Sequence, residues 1–144
     1  MKYVPLHLHT EFSIFDGIAT IDEYAKRAND VGMTALSCTD HGTLSGHREF
    51  VRTMRDHDVK PILGVEAYYC PDRFDQRDPK EREDVLDQIY NHLIILAKND
   101  NGLENLSRLS EIAWTEGFYR KPRIDFEVLD RYGDDLIVTS GCMG

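Results

Sequence analysis

Strand-like and helix-like segments alternate along the chain, and this alternation limits the folds that the sequence can adopt. Strand signals cover residues 3–9, 34–39, 61–69, 92–97 and 136–140. Helical periodicity and helix-capping signals cover residues 20–32, 46–57, 78–90, 103–117 and 125–133. Such alternation predicts an α/β protein with mostly parallel strands. At 144 residues, the chain has the length of one domain with a substantial core.

Local signals mark several helix ends. Thr20 and Glu23 form a capping-box pattern that begins the first helix. The pair at residues 101–102, Asn-Gly, predicts a turn before the helix at 103–117. Asp125 is expected to cap a short helix that ends at Gly133.

Composition and charge exclude some functions. With 41% hydrophobic and 30% charged residues, the chain has the composition of a globular domain. We expect a cytoplasmic protein without a membrane span, because no run reaches about 18 apolar residues and the start lacks a signal-peptide core. Three widely spaced cysteines, Cys38, Cys70 and Cys142, favour a reducing compartment over a disulfide framework.

The formal net charge of −9 disfavours nucleic-acid binding by the chain alone, since phosphates are held mostly by Lys and Arg. The sequence leaves two explanations for the acidity open. The carboxylates can serve solubility, or some of them can face bound cations whose charge the formal count omits.

A His-x-His pair, His7 and His9, lies near the start of the chain. Because alternate side chains of a strand point to the same side, these two imidazoles are expected to share one face. Leu6 and Leu8 would occupy the other face. Two neutral imidazoles on a rigid strand are suitable metal ligands, and Asp16 follows close by with a carboxylate.

Further potential metal ligands lie at or beside the predicted strands. They are Asp40 and His41 after the second strand, Glu66 within the third, His92 at the start of the fourth and Cys142 after the fifth. In a parallel α/β barrel, functional residues gather where strand ends and loops meet. Because imidazole, carboxylate and thiolate groups all bind zinc, manganese or iron, the pattern predicts a metal site.

The same residues carry a resemblance to a known family. The chain resembles the PHP (polymerase and histidinol phosphatase) domains over residues 1–144. The residues that carry the resemblance are His7-Leu8-His9, Asp16-Gly17, Thr39-Asp40-His41-Gly42, Gly64-Val65-Glu66, His92 and Ser140-Gly141-Cys142. Residues 6–13, 39–42 and 117–125 look similar to the branch that forms the N-terminal domain of bacterial DNA polymerase III alpha subunits.

The resemblance implies a distorted seven-stranded (β/α) barrel of the TIM type that holds two or three divalent ions of zinc, manganese or iron. The implied ligands are His7 and His9 for one metal, Glu66 as a bridge, His92 and Cys142 for a second metal, and Asp16 and His41 for a third. It also implies phosphoester hydrolysis by a metal-activated water. In the polymerase branch, the implied activity is a 3′–5′ exonuclease with a proofreading role, acting on DNA 3′ ends.

The chain departs from the family pattern in one respect. The family's later Asp-x-His pair has no counterpart, and about five of the seven strands are expected, which would leave open sheet edges. A fragment, a split gene product or a complementing partner chain would each explain this departure.

Three functions therefore stay open. The first is a polymerase PHP domain with a phosphoesterase site. The second is a stand-alone phosphatase of a small ester such as histidinol phosphate. The third is a non-catalytic scaffold that docks a proofreading exonuclease subunit or stabilises the remaining polymerase domains.

Several other residues have two interpretations each. Asp40 either orients a metal ligand or caps a helix. Arg120, Lys121 and Arg123 lie in a basic loop and are candidate contacts to nucleic-acid phosphates, with a solvated loop or a contact to another polymerase domain as alternatives. His47 is expected on a solvated helix face, and Trp114 is expected in the core.

Overall fold

The computed structural model describes residues 3–81 and 90–141, which form a mixed α/β fold. The strands are β1 (Ala35–Cys38), β2 (Lys60–Tyr69), β3 (Asn91–Ala97), β4 (Arg123–Ile124) and β5 (Leu136–Ser140). The helices are α1 (Ile21–Asp30), α2 (His47–Asp56), α3 (Asp100–Thr115) and α4 (Phe126–Tyr132), with a 3-10 turn at Pro79–Glu81. The rest of the helix expected at 78–90 falls on residues 82–89, outside the described ranges. None of the helices in the described ranges has the length and apolar character that a membrane span needs.

β2 is the central strand of a five-stranded sheet with the order β1–β2–β3–β5. β1 and β4 pair with β2 in parallel, whereas β3 runs antiparallel to both β2 and β5. The prediction of mostly parallel strands is therefore wrong. The described part of the connection from β2 to β3 contains a 3-10 turn rather than the helical crossover that a parallel pair needs.

The first predicted strand, residues 3–9, does not form a β-strand. Pro5 has no N–H to donate to a ladder. The carbonyl of Leu8 accepts from the N–H of Thr39 at 3.0 Å, but the Leu8 N–H donates to the Thr39 hydroxyl at 2.9 Å. The segment is therefore fixed beside the end of β1 without regular backbone pairing. The expected number of five strands is reached instead through the short β4, which the sequence did not predict.

Two apolar clusters stabilise the fold and leave one face of the sheet for polar residues. In the first cluster, α1 and α2 pack on β1, and Phe50 is fully buried. In the second, α3 and α4 pack on the sheet face that carries Val65 and Ile95. Because side chains alternate along a strand, Glu66 and Tyr68 of β2 point to the opposite face.

The capping signals are confirmed for α1 and α4. The Thr20 hydroxyl accepts from the N–H of Glu23 at 3.3 Å, and the Glu23 carboxylate accepts from the N–H of Thr20 at 2.8 Å. Asp125 caps α4 by accepting from the N–H of Val128 at 3.2 Å, and the helix ends before Gly133.

The start of α3 differs from the prediction. Asn99 caps this helix by accepting from the N–H of Gly102 at 3.0 Å, so the predicted turn at 101–102 lies inside the first helical turn. Gly102 has a different role, because a Cβ at this position would lie 2.2 Å from the carbonyl oxygen of Asp135. The helix therefore approaches the loop before β5 closely, and a local turn signal does not reveal that contact.

Candidate metal centre

Four imidazoles converge on the carboxylate of Glu66, which lies in β2 and is 1% exposed. Its Oε2 atom is 2.9 Å from His7 Nε2, 2.8 Å from His9 Nε2 and 3.3 Å from His41 Nδ1. Its Oε1 atom is 3.1 Å from His92 Nδ1. The structure thus gathers four of the predicted ligands around a fifth, the buried carboxylate of Glu66.

Three parts of the fold bring the four imidazoles to Glu66. His41 follows β1 and forms an isolated parallel bridge with Glu66. His92 pairs with Tyr68, because the antiparallel direction of β3 places its start beside the end of β2. His92 and Glu66 therefore share the sheet face that the helices leave open.

The segment that carries His7 and His9 is held by Leu8. Leu8 packs against the cluster between α1 and α2, and both histidines turn toward Glu66. The predicted alternation is confirmed at these three positions. Leu6 differs, because it is 48% exposed instead of packed.

A tight loop brings Asp16 to the same centre. Asp16 Oδ2 is 2.9 Å from His41 Nε2, and its Oδ1 is 3.6 Å from His9 Nδ1. The loop closes through the N–H of Gly17, which donates to the carbonyl of Ser13 at 2.7 Å. A Cβ at Gly17 would lie 1.7 Å from the Thr10 carbonyl oxygen, so the close approach requires glycine.

Asp40 does not cap a helix, and it lies outside the three groups of possible ligand atoms found among the described residues. It is 1% exposed, and it accepts from the N–H of Thr10 at 2.6 Å and from the Thr10 hydroxyl at 2.8 Å. The thiol of Cys38 donates to it at 3.3 Å. Asp40 therefore fixes the backbone next to His9, and its effect on the centre passes through that backbone.

Hydrogen bonds keep both carboxylates of the centre ionised at neutral pH. Burial raises the pKa of Glu66, but the hydrogen bonds from His9 and His7 outweigh it and lower the pKa to about 2. Burial also raises the pKa of Asp16. The hydrogen bond with Ser13 and the nearby imidazoles more than offset this and lower the pKa of Asp16 below its usual value.

The pKa values of His9 and His92 shift in opposite directions. Burial lowers the pKa of His9, but the Glu66 hydrogen bond and the charge of Asp16 raise it overall. Burial lowers the pKa of His92, and the charge of Glu66 only partly offsets this, which favours the neutral imidazole that a metal binds. Because metal ligands must be deprotonated, metal binding at His9 would be favoured as pH rises.

The donor set fits divalent metal ions. Three groups have ligand atoms within 4.8 Å of one another, namely His7–His9–Glu66, His9–Asp16–His41 and His41–Glu66–His92. His7 Nε2 and His9 Nε2 also lie 2.8 Å apart. A shared proton can bridge only one pair of these ligand atoms at a time. A metal ion can accept a lone pair from each of them. Imidazole and carboxylate donors suit zinc, manganese and iron.

An open cleft of about 730 Å³ extends from this centre to solvent. Asp16, His41 and His92 form part of its lining. Aromatic side chains supply much of the rest, including Tyr68 and Trp114. The cleft has the volume of typical small-molecule sites.

The prediction that Arg123 contacts a substrate is wrong. Arg123 is 0% exposed, and its guanidinium donates to the carbonyls of Gly117 at 3.1 Å, Asp75 at 2.8 Å and Arg73 at 2.8 Å. It therefore ties the loop before β4 to the chain after β2. Arg120 is exposed and lines the cleft, so it remains available to a substrate.

Three further predictions have different outcomes. Cys142 lies outside the described residues, so its role as a ligand stays a prediction. His47 is buried instead of solvated, and its Nε2 donates to the carbonyl of Gly64 at 2.8 Å. Trp114 is 51% exposed instead of buried in the core, because its indole N–H reaches out to the carbonyl of Gly42 at 2.9 Å.

Two residues of the centre were missed in the sequence. Ser13 Oγ lies 3.0 Å from His9 Nδ1 and accepts from the N–H of His41 at 3.3 Å. The Tyr68 ring stacks on His41, with centroids 5.7 Å apart and planes 14° apart. Strand periodicity could have identified Tyr68, because it lies two residues after Glu66 and therefore on the same face of the strand.

Comparisons with known proteins agree with this geometry. The PHP domain family matches residues 5–144. The DNA polymerase III subunit alpha of Aquifex aeolicus is 44% identical over 142 residues, and that of Thermus aquaticus is 44% identical over 147 residues. These alignments cover 98% and 100% of this chain but only 12% of each relative.

A solved structure, described as a metal-dependent phosphoesterase of Bifidobacterium adolescentis, has a similar fold. The TM-score is 0.52 at 20% identity, and the match covers 78% of this chain and 33% of that one. This likeness confirms the predicted fold class, a PHP-type barrel that is partly represented here. Because the family match spans nearly the whole sequence, the chain belongs to the PHP domain family.

Proposed function

We propose that this chain is the PHP domain of a DNA polymerase III alpha-type protein and that it hydrolyses phosphodiesters at DNA 3′ ends. The observation that carries the proposal is the convergence of four imidazoles and two ionised carboxylates at an open cleft. Membership in the PHP family supports metal-dependent hydrolysis. The relatives named DNA polymerase III subunit alpha support a role in replication and a cytoplasmic location.

Bound divalent metals would supply an acidified water and charge stabilisation at the phosphoryl group. The chain's own residues hold and orient the ligands for this chemistry. Glu66 contacts all four imidazoles from one strand, and Asp40 fixes the backbone beside His9. Cys38 and Cys70 are poor nucleophiles, because burial raises the pKa of the Cys38 thiol and raises that of Cys70 to about 11.

The first test is metal analysis of the purified protein. We expect two or three equivalents of zinc, manganese or iron per chain, and loss of most of them in a His7→Ala/His9→Ala variant. His57→Ala is the matched control, because His57 pairs with Asp22 away from the centre. Full metal content in the double variant would refute the assignment of these ligands.

The second test compares substrates for the metal-loaded protein. We expect release of nucleotides from the 3′ end of a 5′-labelled DNA strand, and loss of this activity with a chelator. Hydrolysis of histidinol phosphate without hydrolysis of DNA would instead support a small-molecule phosphatase.

A protein that binds no metal, even after incubation with zinc or manganese, would refute the enzymatic proposal. A scaffold role would then be the better explanation. In that case, binding to the remaining polymerase domains or to a proofreading exonuclease subunit becomes the property to measure.

A further inference from the structure

A cationic side chain and exposed aromatic rings line the cleft beside the metal centre. None of them is a predicted metal ligand. Lys121 and Phe15 both line the cleft, next to the ligands Asp16 and His41. A site for an inorganic phosphate alone would need the charge but not the exposed rings. These two side chains therefore indicate what kind of ester fits the cleft.

The ammonium of Lys121 is held between two aromatic rings. Its Nζ lies 5.3 Å from the Phe15 centroid and 5.2 Å from the Tyr68 centroid. Within residues 3–81 and 90–141, this ammonium forms no ion pair with a carboxylate. Since Tyr68 stacks on His41, the positive charge lies one ring away from the metal centre. This position suits a substrate phosphate that extends from the metals.

Phe15 is the residue before Asp16 and is 92% exposed. The loop that carries it is fixed by hydrogen bonds at both ends, from Ser13 N–H to the Thr10 carbonyl at 2.9 Å and from Gly17 N–H to the Ser13 carbonyl at 2.7 Å. An exposed ring on a fixed loop offers a flat surface at low entropic cost. Nucleobases stack on such rings with little dependence on sequence.

We propose that Phe15 and Lys121 form a nucleotide subsite, in which the Phe15 ring stacks on the 3′-terminal base of single-stranded DNA and Lys121 contacts the adjacent phosphate. The inference rests on the proposed function for the position of the scissile phosphodiester. It adds that the substrate is recognised through its terminal base, in addition to its phosphate. A polymer end with an unpaired base satisfies both contacts, whereas a small ester without a base satisfies one.

The test measures binding of the full chain to a 5′-fluorescein-labelled oligothymidylate by fluorescence anisotropy. EDTA is present, so that binding does not depend on hydrolysis. A second oligonucleotide carries an abasic residue at its 3′ end. We expect Phe15→Ala to raise the Kd for the first oligonucleotide about tenfold, which corresponds to the usual strength of base stacking. The same variant should leave the Kd for the abasic oligonucleotide unchanged.

Three further variants separate stacking and charge from structural damage. Phe15→Tyr keeps the ring and should bind like the parent protein. Phe118→Ala is the matched control, because Phe118 is also an exposed ring, at 49%, but it stacks on Trp114 and is not among the residues that line the cleft. Lys121→Gln should weaken both oligonucleotides and reduce the slope of log K against log salt by about 0.7, the value for one phosphate contact on a single strand.

Each outcome bears on the proposal. Equal weakening of both oligonucleotides by Phe15→Ala, or no binding by the parent protein, would overturn the subsite. Binding of the rest of the polymerase at Phe15, with no effect on DNA, would make this surface a domain contact and would also overturn it. Base-dependent binding without hydrolysis in the metal-loaded protein would refute the proposed function and leave the subsite supported. DNA hydrolysis at the same rate by the parent protein and by Phe15→Ala would refute the subsite and leave the proposed function supported.

Discussion

Replacement of Arg123 tests whether this residue is structural, as its burial indicates, or contacts a substrate, as its position in a basic loop suggested. The guanidinium is fully buried and donates to three backbone carbonyls at 2.8–3.1 Å. Arg123→Met keeps much of the side-chain volume but leaves these carbonyls without their donor. We therefore expect a large loss of stability and no specific loss of DNA binding by the folded variant.

The magnitude follows from the three hydrogen bonds. A hydrogen bond to a charged group contributes roughly 1.5–3 kcal/mol net. The three bonds of Arg123 share one side chain and are not additive, because removal of the charge also removes its desolvation penalty. A buried carbonyl left without a donor costs about 1–3 kcal/mol, so the three carbonyls together, less than additively, cost roughly 3–5 kcal/mol. For a domain of this size, such a change lowers Tm by roughly 10–15 °C.

The assay is urea unfolding followed by far-UV circular dichroism. Arg120→Met is the matched control, since Arg120 lies in the same loop but is exposed, and we expect a loss below about 1 kcal/mol. Arg123→Lys keeps the charge and should fall between the two, because an ammonium cannot reproduce the planar fork of donors. Equal stability of the Arg123→Met and Arg120→Met variants would refute the structural role of Arg123.

Three further predictions concern the centre and its surroundings. Asp40→Asn removes the charge from the hydrogen bonds to Thr10, so we expect a loss of about 1–3 kcal/mol in urea unfolding and roughly tenfold weaker zinc binding in a chelator competition assay. Burial lowers the pKa of His47, so below a pH of about 6.5 the unfolded state binds a proton more readily than the folded state. The free energy of unfolding therefore falls as the pH drops, by at most about 1.4 kcal/mol per pH unit. Urea unfolding at pH 7.5 and 5.5 should show a steeper fall for the parent protein than for His47→Gln, and equal slopes would contradict this. Zinc at 100 times its Kd for the parent protein should raise the free energy of unfolding of that protein by about 2.7 kcal/mol. An equal increase in Glu66→Gln at the same zinc concentration would contradict the role of Glu66 as a bridging ligand.

The metal centre was expected in a parallel barrel, but it forms on a sheet that is partly antiparallel. In a parallel pair, adjacent strand ends would bring residues after β2 and after β3 together. Because β3 is antiparallel, the start of β3 takes that place, and His92 lies opposite Tyr68. Glu66 and His92 therefore share one face of the sheet, and His7 and His9 reach Glu66 from a segment outside the strands.

By itself, the sequence determined the local features of this protein. The capping box at Thr20 formed as predicted, and the alternation at His7, Leu8 and His9 placed both imidazoles on one side. Glu66 is buried, as its apolar neighbours indicated, and it is paired, as the cost of a buried carboxylate requires. These features depend on residues a few positions apart, and sequence patterns report such short-range relations directly.

Only the tertiary structure decided the direction of β3, the burial of Arg123 and the exposure of Trp114. Arg123 donates to Arg73, which is 50 residues away, and Trp114 donates to Gly42, which is 72 residues away. A basic residue in a polar loop has the same sequence signature whether it faces solvent or three carbonyls. The difference lies in which distant backbone groups need a donor, and this is fixed only when the chain has folded.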